Sequence, residues 1–172
     1  LTALADGRAV HAWNTWYTDA KGAKSRFVQF SVSRDDGKTW DEPKSLPKNE
    51  SAFSVVRHPF IELSDEAWLF ALSDRTVTYN PKTDAVTAFA DGTSHGLVPI
   101  VRTPKGTPVS GAGRRSTDGG KSWEKVTPFP EIDKNGWRFD MTALDNGHLV
   151  ASEVQGDGIG GNKWRFVVSR DD

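Results

Sequence analysis

Ser33-Arg34-Asp35-Asp36-Gly37-Lys38-Thr39-Trp40 and Ser116-Thr117-Asp118-Gly119-Gly120-Lys121-Ser122-Trp123 are two copies of one pattern, Ser-x-Asp-x-Gly-x-(Ser/Thr)-Trp. Ser169-Arg170-Asp171-Asp172 begins a third copy. The spacing has a physical logic: Asp and Gly close a tight turn, the carboxylate accepting backbone N–H groups and Gly supplying a positive φ. Ser/Thr and Trp are then expected to open the outgoing strand, with the Trp ring under the turn and its indole N–H in need of a partner.

Other turn signals extend outward from these octapeptides: Leu4-Ala5-Asp6-Gly7, Leu63-Ser64-Asp65-Glu66, Arg102-Thr103-Pro104-Lys105-Gly106 and Leu144-Asp145-Asn146-Gly147. Each reads as the tight turn of a hairpin, the first and last with Asp-Gly and Asn-Gly chemistry. The step from Gly106 to Gly147 is 41 residues, from Glu66 to Gly106 40, and from Gly7 to Glu66 59, the last being lengthened by insertions. A repeat of this period is the length of a four-stranded propeller blade.

The predicted fold is therefore all-β, a β-propeller of four-stranded antiparallel blades. Residues 1–172 form a single partial propeller with blades at 1–48, 49–91, 92–130 and 131–172. In the first blade, strands A and B fall at 1–4 and 9–13, and strand C at 26–32, before the first octapeptide. Tyr17 to Lys24 is expected as a long B-to-C loop. The second blade runs 55–63, 67–72, 76–80 and 85–89, with Asn80-Pro81-Lys82-Thr83-Asp84 as a plain turn where the octapeptide is missing. The third runs 97–102, 107–110 and 114–116, and the fourth 137–144, 148–154 and 164–169, with a glycine-rich loop at 155–162. Four blades fit part of a six- or seven-bladed ring; the alternative is a closed four-bladed ring. The chain begins at Leu1 rather than Met and stops inside a motif copy, so it is expected to belong to a longer protein.

Composition agrees. Seven Trp and nine Phe against two Tyr, with sixteen Gly and nine Pro, favour short strands and turns. Charge is balanced, 22 basic against 23 acidic residues, which leaves no basic field to gather phosphates and argues against a nucleic-acid partner. The absence of cysteine excludes disulfides and thiolate metal sites. No apolar run is long enough for a membrane-spanning helix. Gly156-Asp157-Gly158-Ile159-Gly160-Gly161 joins strand to strand without the Lys-Ser/Thr of a phosphate loop, and the four histidines lack zinc spacing, so no cofactor or metal is expected.

The octapeptides resemble the Asp-box, or bacterial neuraminidase repeat, with Ser33, Asp35, Gly37, Thr39, Trp40, Ser116, Asp118, Gly120, Ser122, Trp123, Ser169 and Asp171 at its specified positions. Arg57-His58-Pro59-Phe60-Ile61, followed by Trp68-Leu69-Phe70-Ala71-Leu72-Ser73-Asp74-Arg75, resembles the Arg-Ile-Pro motif of the sialidase superfamily and the strand after it. His58 stands where that family prefers isoleucine, and Arg138-Phe139-Asp140 lacks the proline. The resemblance implies a propeller, a site at the face opposite the Asp-boxes, and an exported or cell-surface glycosidase that removes terminal acidic sugars from glycans. It also implies a carboxylate clamp of arginines, a tyrosine nucleophile paired with a glutamate, and an aspartate acid/base.

Carried onto this sequence, the clamp candidates are Arg57 and Arg138, which share one blade position nine residues before Glu66 and Gly147. Arg75 and Asp140 join them as substrate-binding candidates, and Arg102 is a further arginine to consider. Planar guanidinium forks match a carboxylate bidentately, and a neutral tyrosine avoids repulsion from that carboxylate during attack at the anomeric carbon. Tyr17 and Glu153 are the catalytic candidates. Trp13, Trp16 and Trp137 are placed to stack on sugar rings or to fill the core. The competing readings are a channel-lining ion pair such as Arg138 with Asp140, and a noncatalytic Asp-box propeller that binds a glycan, a protein or an assembly partner.

Overall fold

The computed structural model describes residues 1–22, 24–46, 60–72, 75–89, 99–126, 140–155 and 163–169. Arg57, Trp137, Arg138, Asp171 and the loop at 156–162 lie outside them, and Glu153 is described only as backbone. The described residues form fifteen strands and no helix.

Four antiparallel sheets follow one another along the chain, each a meander in which neighbours in sequence pair. The first holds β1 (Thr2–Ala3), β2 (Ala9–Thr18), β3 (Lys24–Ser33) and β4 (Lys44–Ser45). The second holds β5 (Ile61–Ser64), β6 (Ala67–Ala71), β7 (Thr76–Tyr79) and β8 (Val86–Phe89). The third holds β9 (Ile100–Arg102), β10 (Pro108–Ser110), β11 (Arg114–Arg115) and β12 (Glu124–Lys125). The fourth is three-stranded, with β13 (Met141–Ala143), β14 (Leu149–Gln155) and β15 (Lys163–Ser169).

The turns between the first two strands of the sheets are where the sequence puts them. In the first, third and fourth sheets, Gly7, Gly106 and Gly147 have φ of 87°, 87° and 91°. Their N–H groups donate to the carbonyls of Leu4, Thr103 and Leu144 at 2.8–3.1 Å. A positive φ of this size is cheap only for glycine. The second sheet lacks the glycine and instead carries a register irregularity between Glu62 and Ser64.

The first hairpin corrects one expectation. β2 and β3 pair over ten residues, from Ala9↔Ser33 to Thr18↔Lys24. Tyr17 is thus a strand residue opposite Ser25, and the connection is only residues 19–23. The reason is local: Thr15-Trp16-Tyr17-Thr18 is a β-branched and aromatic run suited to a pleated ladder, and the turn former that follows it is Asp19. Its carboxylate accepts Lys21 N–H at 2.8 Å, and Gly22 N–H donates to its carbonyl at 3.0 Å.

The strand period of two sorts apolar side chains into layers between sheets. Val10, Val28, Phe30 and Val32 of the first sheet meet Trp68, Phe70, Val77 and Tyr79 of the second, with Phe60, in one buried cluster. Phe30 stands 4.8 Å from Tyr79 and 5.6 Å from Phe70, ring to ring. On the other side of the second sheet, Ile61 and Leu69 meet Ile100 and Trp123. Between the third and fourth, Val101 packs with Met141, Ala151 and Val167.

Candidate functional site

The two octapeptides share one hydrogen-bond network. Ser33 Oγ donates to Asp35 Oδ1 at 2.9 Å and accepts Gly37 N–H at 2.8 Å; Ser116 repeats this with Asp118 and Gly120 at 2.8 and 2.7 Å. Asp35 accepts the N–H and hydroxyl of Thr39 at 2.8 and 2.7 Å, and Asp118 those of Ser122 at 2.9 and 2.6 Å. The indoles of Trp40 and Trp123 each donate to the carbonyl of Gly37 or Gly120 at 3.2 Å. Carboxylates that accept this many bonds are held in their charged form. The Ser122 hydroxyl and N–H hold Asp118 down at about 2, and Thr39 lowers Asp35 in the same direction.

Two details differ from expectation. Trp123 opens directly into β12, but residues 41–43 separate Trp40 from β4. Trp123 is also packed against the second sheet, whereas Trp40 remains 40% exposed because no described sheet stands before the first. The third copy begins in register, since Ser169 is buried opposite Leu149 as Ser33 is buried opposite Ala9.

None of the octapeptide residues lines the place where the first strands of the four sheets meet. β5 touches β9 and β9 touches β13. Thr2 and Ala3, Ile61 and Glu62, Ile100 to Arg102, and Met141 to Ala143 line one cavity of about 480 Å3, joined by Phe60, Pro99 and Asp140. The first strand of every sheet therefore contributes to one space. A concave site fed by several elements is where a rigid scaffold collects ligand contacts.

Its described charges are Glu62, Arg102 and Asp140. Glu62 Oε2 accepts Ala5 N–H at 2.8 Å, and Arg102 Nη1 donates to the Glu62 carbonyl at 3.1 Å. Asp140 is exposed at the entrance to β13, its backbone tied to Ser152 by bonds of 2.9 and 3.2 Å. Thr2 Oγ1 is buried without a hydrogen-bond partner among the described residues.

Of the residues singled out in the sequence, Asp140 and Arg102 line the cavity. Arg75 precedes β7, half-buried, with its carbonyl accepting Leu72 N–H at 2.9 Å, and is not among the lining residues. Tyr17 is 52% exposed near the end of β2 and is not among them either. Glu153 is opposite Arg165 in the β14–β15 ladder. Trp13 lies in β2 against the His11 ring, and Trp16 is 61% exposed on the same strand. Glu62 escaped the sequence reading, although a signal existed: Glu62 and Arg102 each stand four residues before an aligned turn residue, Glu66 and Gly106.

Solved structures share this fold. Over 98% of its length the chain is similar to a protein of unknown function from Dyadobacter fermentans, with a TM-score of 0.64 at 21% identity. Over 95% it is similar to the intramolecular trans-sialidase from Ruminococcus gnavus, solved with oseltamivir carboxylate, with a TM-score of 0.50 at 15% identity. Over 83% it is similar to the NanB sialidase from Streptococcus pneumoniae, with a TM-score of 0.52 at 17% identity. The fold is sialidase-like. The chain spans 59%, 48% and 26% of those three chains. No family model and no curated protein matches it. In a sialidase-like fold at these identities the architecture is shared, and the chemistry has to be argued from the site.

Proposed function

We propose that the chain is an arc of a sialidase-like Asp-box propeller, with blades at 1–48, 49–91, 92–130 and 131–172, whose central cavity receives the terminal acidic sugar of a glycan for hydrolysis. The observation that carries this reading is the cavity lined by the first strands of all four sheets, in a fold shared with sialidases.

Charge decides which residues matter. The described lining offers two carboxylates, Glu62 and Asp140, against the single guanidinium of Arg102. An acidic sugar needs more positive charge than that. Arg57 and Arg138 are the proposed forks for its carboxylate, with Arg75 as a further cation and Asp140 as a polar contact. Glu153 is the proposed partner of a tyrosine nucleophile, for which Tyr17 is the candidate in this chain. A glycan-processing protein of this kind would be exported or displayed at the cell surface.

The second reading, a noncatalytic propeller that binds a glycan or protein, is favoured by one observation. Neither tyrosine of the chain lines the cavity: Tyr17 lies far along β2, and Tyr79 donates to Asp84 between the first two sheets. The test is release of a fluorogenic sialoside by the protein as encoded in its gene. Turnover lost in Arg57→Ala supports the enzyme. A folded protein that binds a sialylated glycan without turnover supports the second reading, and one that neither binds nor cleaves it overturns the acidic-sugar site and leaves only protein binding.

A further inference from the structure

The β2–β3 hairpin outgrows its own sheet. β1 pairs with β2 only at Ala9 and Val10, and β4 with β3 only at Gln29 and Phe30, while β2 and β3 stay paired as far as Thr18 and Lys24. The outer part is therefore a bare two-stranded ribbon. Glu62 on Ala5 and Arg102 on Glu62 tie together the ends of β1, β5 and β9, so the starts of these strands share the opposite end. β2 runs antiparallel to β1 and leaves the sheet at that end, where Phe60, Pro99 and Asp140 join the cavity lining. The ribbon rises beside the cavity mouth. Ala143 pairs with Leu149 as Ala3 pairs with Ala9, which puts Asp140 level with Ala12, and Trp16 is four residues further out, about 14 Å at the usual strand rise.

One face of this ribbon is chemically marked. Val10 and Ala12 face the second sheet, and the strand period of two puts Trp16 on the same side. Trp68 is opposite Glu62 as Ala9 is opposite Ala3, so the second sheet, which turns back between Leu72 and Arg75, reaches the level of Trp13. Trp16 stands beyond that rim and is 61% exposed. Arg26 pairs with Trp16, and the exposed Lys24 with Thr18, so both positions belong to this face by register. Arg75 opens the return strand at the rim below. Along the ribbon three cations, Lys21, Lys24 and Arg26, stand against one carboxylate, Asp19, which accepts Lys21 N–H within its own turn.

We propose, on the reading of the cavity as an acidic-sugar site, that this ribbon face holds a second acidic sugar of the same glycan, so that the preferred ligand carries acidic sugars at more than one position. An indole offers a flat apolar face to the C–H side of a sugar ring while its edge stays wet. Cations on the same face supply the charge that a sugar carboxylate needs. A lone exposed aromatic is ordinary on a protein surface. Trp16 differs in its company: it is grouped by register with Lys24 and Arg26, on the side of the sheet that already has a neighbour, at the mouth of a cavity. The step of four residues from the level of Asp140 to Trp16 assigns it to a later unit of the glycan than the one in the cavity.

The test uses the protein as encoded by its gene and three probes: a trimer of sialic acid, sialyllactose, in which neutral sugars follow the acidic one, and a small fluorogenic sialoside. Affinity is read as KM where the protein turns the probe over and as Kd by calorimetry where it does not. The unaltered protein should prefer the trimer to sialyllactose. Trp16→Ala and, separately, Lys24→Ala, each checked for folding by circular dichroism, should weaken the trimer about fivefold or more relative to the small sialoside. In K24A the trimer should also lose more than sialyllactose does. No preference for the trimer, a trimer affinity unmoved in W16A, or equal losses for trimer and sialyllactose in K24A overturns the proposal. A trimer held through Trp16 without turnover leaves it standing while the hydrolytic reading falls. Trimer binding lost in Arg57→Ala but kept in W16A retains the cavity site and overturns the ribbon site.

Discussion

Glu62 in the second sheet accepts the backbone N–H of Ala5 in the first, across a cavity rim, with a separation of 2.8 Å. The Glu62 carbonyl in turn accepts from Arg102 of the third sheet. Three consecutive sheets are tied by this relay. Because the side chain serves one bond and the backbone the other, Glu62→Ala and Arg102→Ala should each cost about 1 kcal/mol, a usual net value for a hydrogen bond. Their effects should add in the double variant, as measured by urea unfolding. A double variant no less stable than either single one would contradict this account.

Gly120 separates turn strain from packing. Gly37 and Gly120 have similar φ, 83° and 90°. A Cβ on Gly37 would meet only Trp40, at 3.8 Å, whereas one on Gly120 would stand 2.5 Å from Leu69 Cδ1. Gly37→Ala should cost the left-handed penalty alone, roughly 1–2 kcal/mol. Gly120→Ala should cost clearly more, because the buried Leu69 side chain has little room to give way. Thermal unfolding of the two variants side by side checks the order.

Acid should loosen the octapeptide turns. Asp118 has its folded pKa depressed to about 2 from an ordinary 3.8, and Asp35 is shifted in the same direction. A depressed acid contributes stability that is complete above its unfolded pKa and is lost as pH falls toward the folded one. The unfolding midpoint should therefore fall between about pH 4 and pH 2, and the fall should be shallower in Asp118→Asn. An unchanged pH profile in that variant would show that the network does not carry the acid sensitivity.

The seam between the first two sheets should be the most sensitive to truncation. Phe30 is 1% exposed and touches the rings of Trp68, Phe70 and Tyr79. Phe30→Ala should cost about 3–5 kcal/mol, as large cavities in cores do. Tyr79→Phe keeps the ring and loses the hydroxyl that Lys44 and Asp84 share, so it should cost far less. Chemical denaturation of both variants measures the difference.

The sheets were legible because their turns are chemically explicit. Gly7, Gly106 and Gly147 mark backbone positions that few other residues tolerate, and the octapeptides specify their own hydrogen bonds. Strand length was less legible. The β2–β3 ladder continues to Thr18 because pairing ends where a turn former appears, and polar content alone gave no sign of that. The cavity was legible as a meeting of first strands, but Glu62 was not, since its role is to reach a backbone N–H in another sheet. The exposure of Trp40 against the packing of Trp123 was equally hidden: two copies of one motif differ in which described sheet stands before them.

One consequence follows from the direction of these joints. Trp123 and Gly120 press on the preceding sheet, as Arg102 and Glu62 do. A row of parts, each joined to the next through unlike faces, has a head and a tail. It can gain or lose a whole part wherever the two newly adjoining faces still match, without any coupling being reinvented. The second sheet, which has no octapeptide, is joined to the first through Tyr79 and Asp84, both accepting from Lys44, so the motif is not what a joint requires.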